Sequence, residues 1–128
     1  VLVNPNYQAK IGELGSTFGG NHLACCASLT VLDVIEQESL ILNAKVQGEK
    51  LLTALQHMSK VKSVRGEGLM IGFDIEGSAA EFVEKMLFQE QLFLGTARSL
   101  NTVRLLPPLS LRNDETSQII NILRKYLS

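Results

Sequence analysis

Leu69 to Ile75 reads LMIGFDI, and its periodicity separates an all-helical chain from a mixed one. Leu69, Ile71, Phe73 and Ile75 alternate with Met70, Gly72 and Asp74, the period-two pattern of a half-buried strand. The residues leading into it, Val64 to Gly68 (VRGEG), carry two glycines that allow a bend or bulge.

On the N-terminal side the period is helical. Ile41, Ala44, Gly48, Leu52, Leu55 and Met58 recur at steps of three or four and predict a helix from about Ser39 to Ser59, with His57 off the stripe in solvent. Further back, His22 to Ile35 (HLACCASLTVLDVI) is apolar around nearly its whole circumference, the pattern of a helix covered on several sides. On the C-terminal side, Ser78 followed by Glu81 forms a capping box ahead of the stripe Ala79, Phe82, Val83, Met86 and Leu87. Leu92 to Leu94 and Thr102 to Leu106 read as two short strands joined by the loop GTARSLN, and Pro107-Pro108 stops the second. A last helix starts near Asn113 or Asp114, with Arg124 and Lys125 in its final turn and Ile119, Ile120, Leu123 and Leu127 inward. The order predicts an α+β fold: a small, mostly antiparallel sheet covered by helices on one face, preceded by a long linking helix. The composition shift at Glu36 to Ser39 is the expected boundary between them.

With 128 residues, 45% of them hydrophobic and 20% charged, the chain suits one folded soluble domain rather than disorder. Its formal net charge is −1 with scattered basic residues, which argues against nucleic acid and anionic membrane as partners. No apolar run matches a membrane span, and VLVNPNYQAK has no export-signal pattern, so a cytoplasmic setting is expected. Because the chain opens on Val1 to Val3 rather than Met, it is expected to be a processed end or part of a longer protein. Cys25 and Cys26 are adjacent on a helix, where a disulfide between them would be strained. They are expected to be small core residues in a reducing compartment, and with His22 and His57 far apart no metal site is expected.

Two features bear on chemistry. Gly15 to Asn21 (GSTFGGN) sets backbone amides and the hydroxyls of Ser16 and Thr17 before a helix, groups that could hold a phosphate or carboxylate; a plain turn with an Asn21 cap is all that the bare pattern requires. Arg104, in TVRLLPPL, lies opposite in face to Val103 and Leu105, suited to a carboxylate, or else is an edge-strand arginine in water. Arg65 and Arg98 fall in turn or loop settings that favour solvent. No Ser-His-Asp grouping or nucleophile elbow is present, so the residues offer binding groups without a catalytic one.

In order and spacing, GSTFGGNHLAC, LTVLDVIEQESL, VRGEGLMIGFDI and VRLLPPLSL resemble the C-terminal part of class III pyridoxal-phosphate aminotransferases, nearest to the acetylornithine and succinylornithine enzymes. The resemblance covers essentially the whole chain. It implies the small domain of a fold-type I aminotransferase, with residues 1–37 as the end of the large cofactor-binding domain plus linking helix, and 38–128 as the small α+β domain. It further implies a homodimer in which Thr17 binds the phosphate of the partner subunit's pyridoxal 5'-phosphate, Ser16 contacts the amino-acid substrate and Arg104 binds a substrate carboxylate. The implied reaction transfers the side-chain amine of N-acetylornithine, or N-succinylornithine, to 2-oxoglutarate in arginine biosynthesis. The Schiff-base lysine lies upstream in the family; Lys10 lacks its place and context, so no catalytic residue is expected here and the chain alone is expected to be inactive.

Leu14 and His22 depart from a common histidine and a frequent proline. Phe18, where ornithine aminotransferases tend to have tyrosine, favours an acylated ornithine. Ornithine and 4-aminobutyrate aminotransferases are the neighbouring alternatives. A non-catalytic anion-binding or dimerisation module is the alternative of another class. The aminotransferase reading predicts a bare apolar face over His22 to Ile35.

Overall fold

A computed structural model describes residues 4, 6–7, 10, 12–13, 15 and 17–128; Leu14 and Ser16 lie outside the described residues. Helix α1 (His22–Gln37) starts at Asn21, whose Oδ1 accepts from the Ala24 amide at 3.0 Å. Glu38 closes it, and Ser39, at φ 52°, turns the backbone through the left-handed region into α2 (Leu40–Gln56).

Helix α2 buries Ala44, Gln47, Gly48, Leu51 and Leu55. That face is rotated from the expected stripe: Ile41 is 67% exposed, and Gln47 takes an inward place. Gln47 is accommodated because its amide donates to Asn43 Oδ1 and its Oε1 accepts from Lys50 Nζ, so the buried group keeps partners. His57 follows the helix, exposed as expected.

Strands β1 (Val61–Glu67) and β2 (Met70–Ile75) form an antiparallel hairpin. The stretch VRGEG is therefore largely strand, not merely an approach to one. Glu67 pairs with Met70, leaving the two-residue connection Gly68-Leu69, and Gly68 adopts φ 54° at its first position, where a residue with a Cβ is disfavoured. The expected irregularity falls earlier, as a register shift between Val61 and Ser63. In β2 the alternation holds: Ile71, Phe73 and Ile75 are buried, and Met70 is exposed.

Helix α3 (Ala79–Glu90) is capped by Ser78, which accepts from the Glu81 amide at 3.3 Å. Leu92 to Leu94 is not a strand. The Leu92 amide bonds back to the Met86 carbonyl, Leu94 is buried in the core, and the pairing falls instead on β3 (Gly95–Thr96), inside the expected loop. Strand β4 (Thr102–Leu105) and helix α4 (Asn113–Leu127) complete the chain. The sheet order is β1-β2-β4-β3 with every pair antiparallel.

Helix α2 packs on β1 and β2, α3 on β3 and β4, and α4 on α2. The resulting core centres on Phe73, Leu51, Leu55, Ile71, Met86, Val103 and Leu123. Burial of each large side chain contributes about 1.5–3 kcal/mol, so this layer dominates the stability of the unit. Helix α1 contributes no buried residue: Leu23 is 82% exposed, and Leu29, Val31 and Leu32 are also exposed. Cys25 and Cys26 lie on this helix and are exposed, which corrects the expectation of core cysteines. Their environment within this chain is a surface because no described residue covers that face.

Candidate anion-binding elements

Thr17 to Gly20 form a turn in which every residue is exposed. Asn21 closes it: its Nδ2 donates to the Phe18 carbonyl at 2.6 Å while its Oδ1 caps the Ala24 amide. The amides of the first helical positions, His22 and Leu23, have no intrahelical partner by geometry, and they open toward the turn. No hydrogen bond among the described residues engages the Thr17 hydroxyl. Among the described residues a Cβ built on Gly20 would meet nothing within 4 Å, so none of them obstructs an anion approaching this backbone. The donors therefore fit a phosphate, with the helix dipole adding a modest favourable contribution. Ser16, the other hydroxyl expected here, is among the residues not described.

Arg104 lies in the middle of β4 on the sheet face away from the helices, exposed, between buried Val103 and Leu105. Its cross-strand neighbours are both glycine: Gly72 on β2 and Gly95 on β3. A Cβ on Gly95 would sit 3.5 Å from Arg104 Nε and Nη2, which places the guanidinium across bare backbone. No ion pair or side-chain hydrogen bond among the described residues includes Arg104. A planar fork held by a strand and presented in this way can take a carboxylate bidentately.

Arg65 behaves differently from the expectation of a solvated loop residue. It sits on β1 opposite Gly72, in the same cross-strand row as Arg104. Its Nη1 and Nη2 donate to Asp74 Oδ2 and Oδ1 at 2.9 and 3.1 Å, and Nη2 also reaches Thr102 Oγ1 at 3.2 Å. Asp74 further accepts from Thr102 Oγ1 at 2.5 Å and from Ser63 Oγ at 2.7 Å. The Arg65 fork first, then the Thr102 and Ser63 hydroxyls, hold the Asp74 carboxyl well below the usual carboxylate range, and Asp74 raises Arg65 in turn. Arg98 is exposed in the loop between β3 and β4, as expected.

Thr17 and Arg104 are not brought into one pocket. A cleft of about 1190 Å³ lies between the end of α1, the first half of α2, the Gly68 turn and the segment Leu106 to Leu109, and neither residue lines it. Lys10 is exposed, with its amide bonded to Glu13. Among the described residues no group of His, Cys, Asp and Glu could hold a metal ion, and no helix is long and apolar enough to cross a membrane.

The family model for aminotransferase class-III matches residues 3–127. Over 99% of its length the chain is 37% identical to ornithine aminotransferase 1 of Staphylococcus saprophyticus, covering 33% of that protein. Over 89% of its length it is 43% identical to the acetylornithine aminotransferase of Archaeoglobus fulgidus, covering 29% of that protein. A solved ornithine aminotransferase from Plasmodium yoelii superposes with a TM-score of 0.77 at 30% identity, over 91% of this chain and 32% of that one. The chain thus spans about a third of the length of the curated relatives it matches.

Proposed function

Because the chain belongs to the class-III aminotransferases, a pyridoxal-phosphate-dependent family, we propose that it forms the C-terminal part of a transaminase exchanging an amino group between an acylated ornithine and 2-oxoglutarate. Pyridoxal phosphate, when bound, supplies the electron sink for that exchange. The residues of this chain serve recognition. The Thr17 hydroxyl and the first-turn amides of α1 hold the phosphate, in the active site of the partner subunit of a homodimer. Ser16, beside Thr17 in sequence, contacts the amino-acid substrate. Arg104 takes the carboxylate of glutamate or 2-oxoglutarate.

The observation that carries this reading is the unengaged Arg104 guanidinium, laid across Gly95 on the open face of the sheet. Residues 1–37 belong on this view to the large domain and its linking helix, and 38–128 to the small domain. The left-handed Ser39 is where the two helical directions part. The uncovered apolar side chains of α1 are accounted for by the large domain and the dimer partner. The chain alone is inactive in this reading, since the lysine that anchors the cofactor lies elsewhere, and the enzyme works in the cytoplasm in arginine biosynthesis.

Free ornithine is the competing donor, because relatives named for ornithine and for acetylornithine both match over most of the chain. The test is the full-length enzyme assayed with N-acetylornithine, N-succinylornithine and ornithine at fixed 2-oxoglutarate. A higher kcat/KM for an acylated donor is expected; a preference for free ornithine would reassign the substrate, and no turnover of any of the three would remove ornithine and its acyl derivatives as donors.

A further inference from the structure

Two guanidiniums share one cross-strand row on the open sheet face, and only one of them is available. Arg65 on β1 and Arg104 on β4 are both paired with Gly72 of β2, so their backbones stand two strand spacings apart, about 10 Å. Gly72 puts no side chain between them. Two arginine side chains at that separation can converge on one anion. They do not converge here: Arg65 lies diagonally across Gly72, its fork taken up by Asp74 and Thr102, and Arg104 is directed away from it, over Gly95.

Asp74 is what holds Arg65 back. It is the next residue on the same face of β2, it accepts both arms of the Arg65 fork, and its position is fixed by Thr102 and Ser63 from the strands on either side. Thr102 is 3% exposed and sits two residues before Arg104 on the same strand. The lock that occupies Arg65 is thus built into the strand that carries Arg104.

We propose that Asp74 is a specificity-determining residue: by occupying the Arg65 fork it leaves a single guanidinium on this row, so that the face takes one carboxylate and does not gather a doubly charged anion between two arginines. This rests on the reading of Arg104 as the carboxylate binder. Neutralising Asp74 leaves Arg65 with an uncompensated charge beside Gly72, and the row becomes a two-arginine anion site.

The test is isothermal titration of sodium sulfate into the full-length holoenzyme. Asp74→Asn should bind sulfate about fivefold more tightly than the wild type, the scale of one added charge contact near a surface. Asp74→Glu, which keeps the charge, should stay at the wild-type value, and Asp74→Asn combined with Arg65→Gln should return to it. Unchanged sulfate affinity in Asp74→Asn, or a gain that survives removal of Arg65, overturns the proposal. If Asp74→Asn does not fold, the wild type carries the same question in its arginine Nε–H resonances. Sulfate should move the Arg104 signal and leave that of Arg65 in place; joint movement of both overturns masking. A gain in Asp74→Asn that Arg65→Gln reverses supports masking whether or not Arg104→Gln changes the KM for 2-oxoglutarate, so the two readings fail separately.

Discussion

Gly48 of α2 lies against Gly68 of the β1–β2 turn so closely that a Cβ built on Gly48 would stand 2.0 Å from the Gly68 carbonyl oxygen. Inside a helix, Gly→Ala ordinarily stabilises by about 0.5–1 kcal/mol. Here the obstacle is backbone, which cannot swing aside as a side-chain tip would. Gly48→Ala is therefore expected to lower stability by about 1–3 kcal/mol through overpacking. Equal or higher urea midpoints for the variant, in the full-length protein, would show that the helix and turn can separate without loss.

The Asp74 lock has a defined pH signature. Its folded carboxyl is lowered, so its contribution is fully present above the ordinary aspartate value of about 3.9 and is lost as pH falls below that value. The stability difference between wild type and Asp74→Asn should be the same at pH 7 and pH 5 and should shrink only below about pH 4. A difference already shrinking between pH 7 and pH 5 would mean that the carboxyl is not held down by its three partners.

Thr17→Ala removes one hydroxyl donor from the turn before α1. For the full-length enzyme the loss of one charge-assisted hydrogen bond corresponds to about tenfold or more in cofactor affinity. A spectral titration with pyridoxal phosphate reads this directly, and an unaltered dissociation constant would take Thr17 out of phosphate binding.

Arg104→Lys keeps the charge and discards the planar fork. The expected result is a fall of about 10- to 100-fold in kcat/KM for 2-oxoglutarate. Wild-type kinetics with 2-oxoglutarate would return Arg104 to the role of an exposed strand residue.

How much of this is legible in the sequence depends on which face of each element is loaded. Strand β2 is readable because Ile71, Phe73 and Ile75 all point into the core. Strand β1 is hidden because it lies at the edge of the sheet and carries Lys62, Arg65 and Glu67, with only Val61 and Val64 half-buried. The Arg65–Asp74 pair is hidden with it, since the two residues meet only once that strand and its register are known. Leu92 and Leu94 mislead because apolar residues turned inward need not be on a ladder. Gln47 misleads because a buried amide with two neighbours on its own helix costs little. Arg104 was legible as a candidate from its alternation and the prolines beyond it, whereas the bare glycine under its guanidinium is a fact of pairing.

The two margins of the sheet differ from its open face in what they permit. One margin is β3, only two residues long; the other is β1, studded with Lys62, Arg65 and Glu67 and broken in register near Ser63. A margin that is very short, or charged and irregular, is a poor template for main-chain pairing with another molecule. Strand-on-strand growth, the usual route from an exposed sheet to fibrous aggregates, is blocked at both ends.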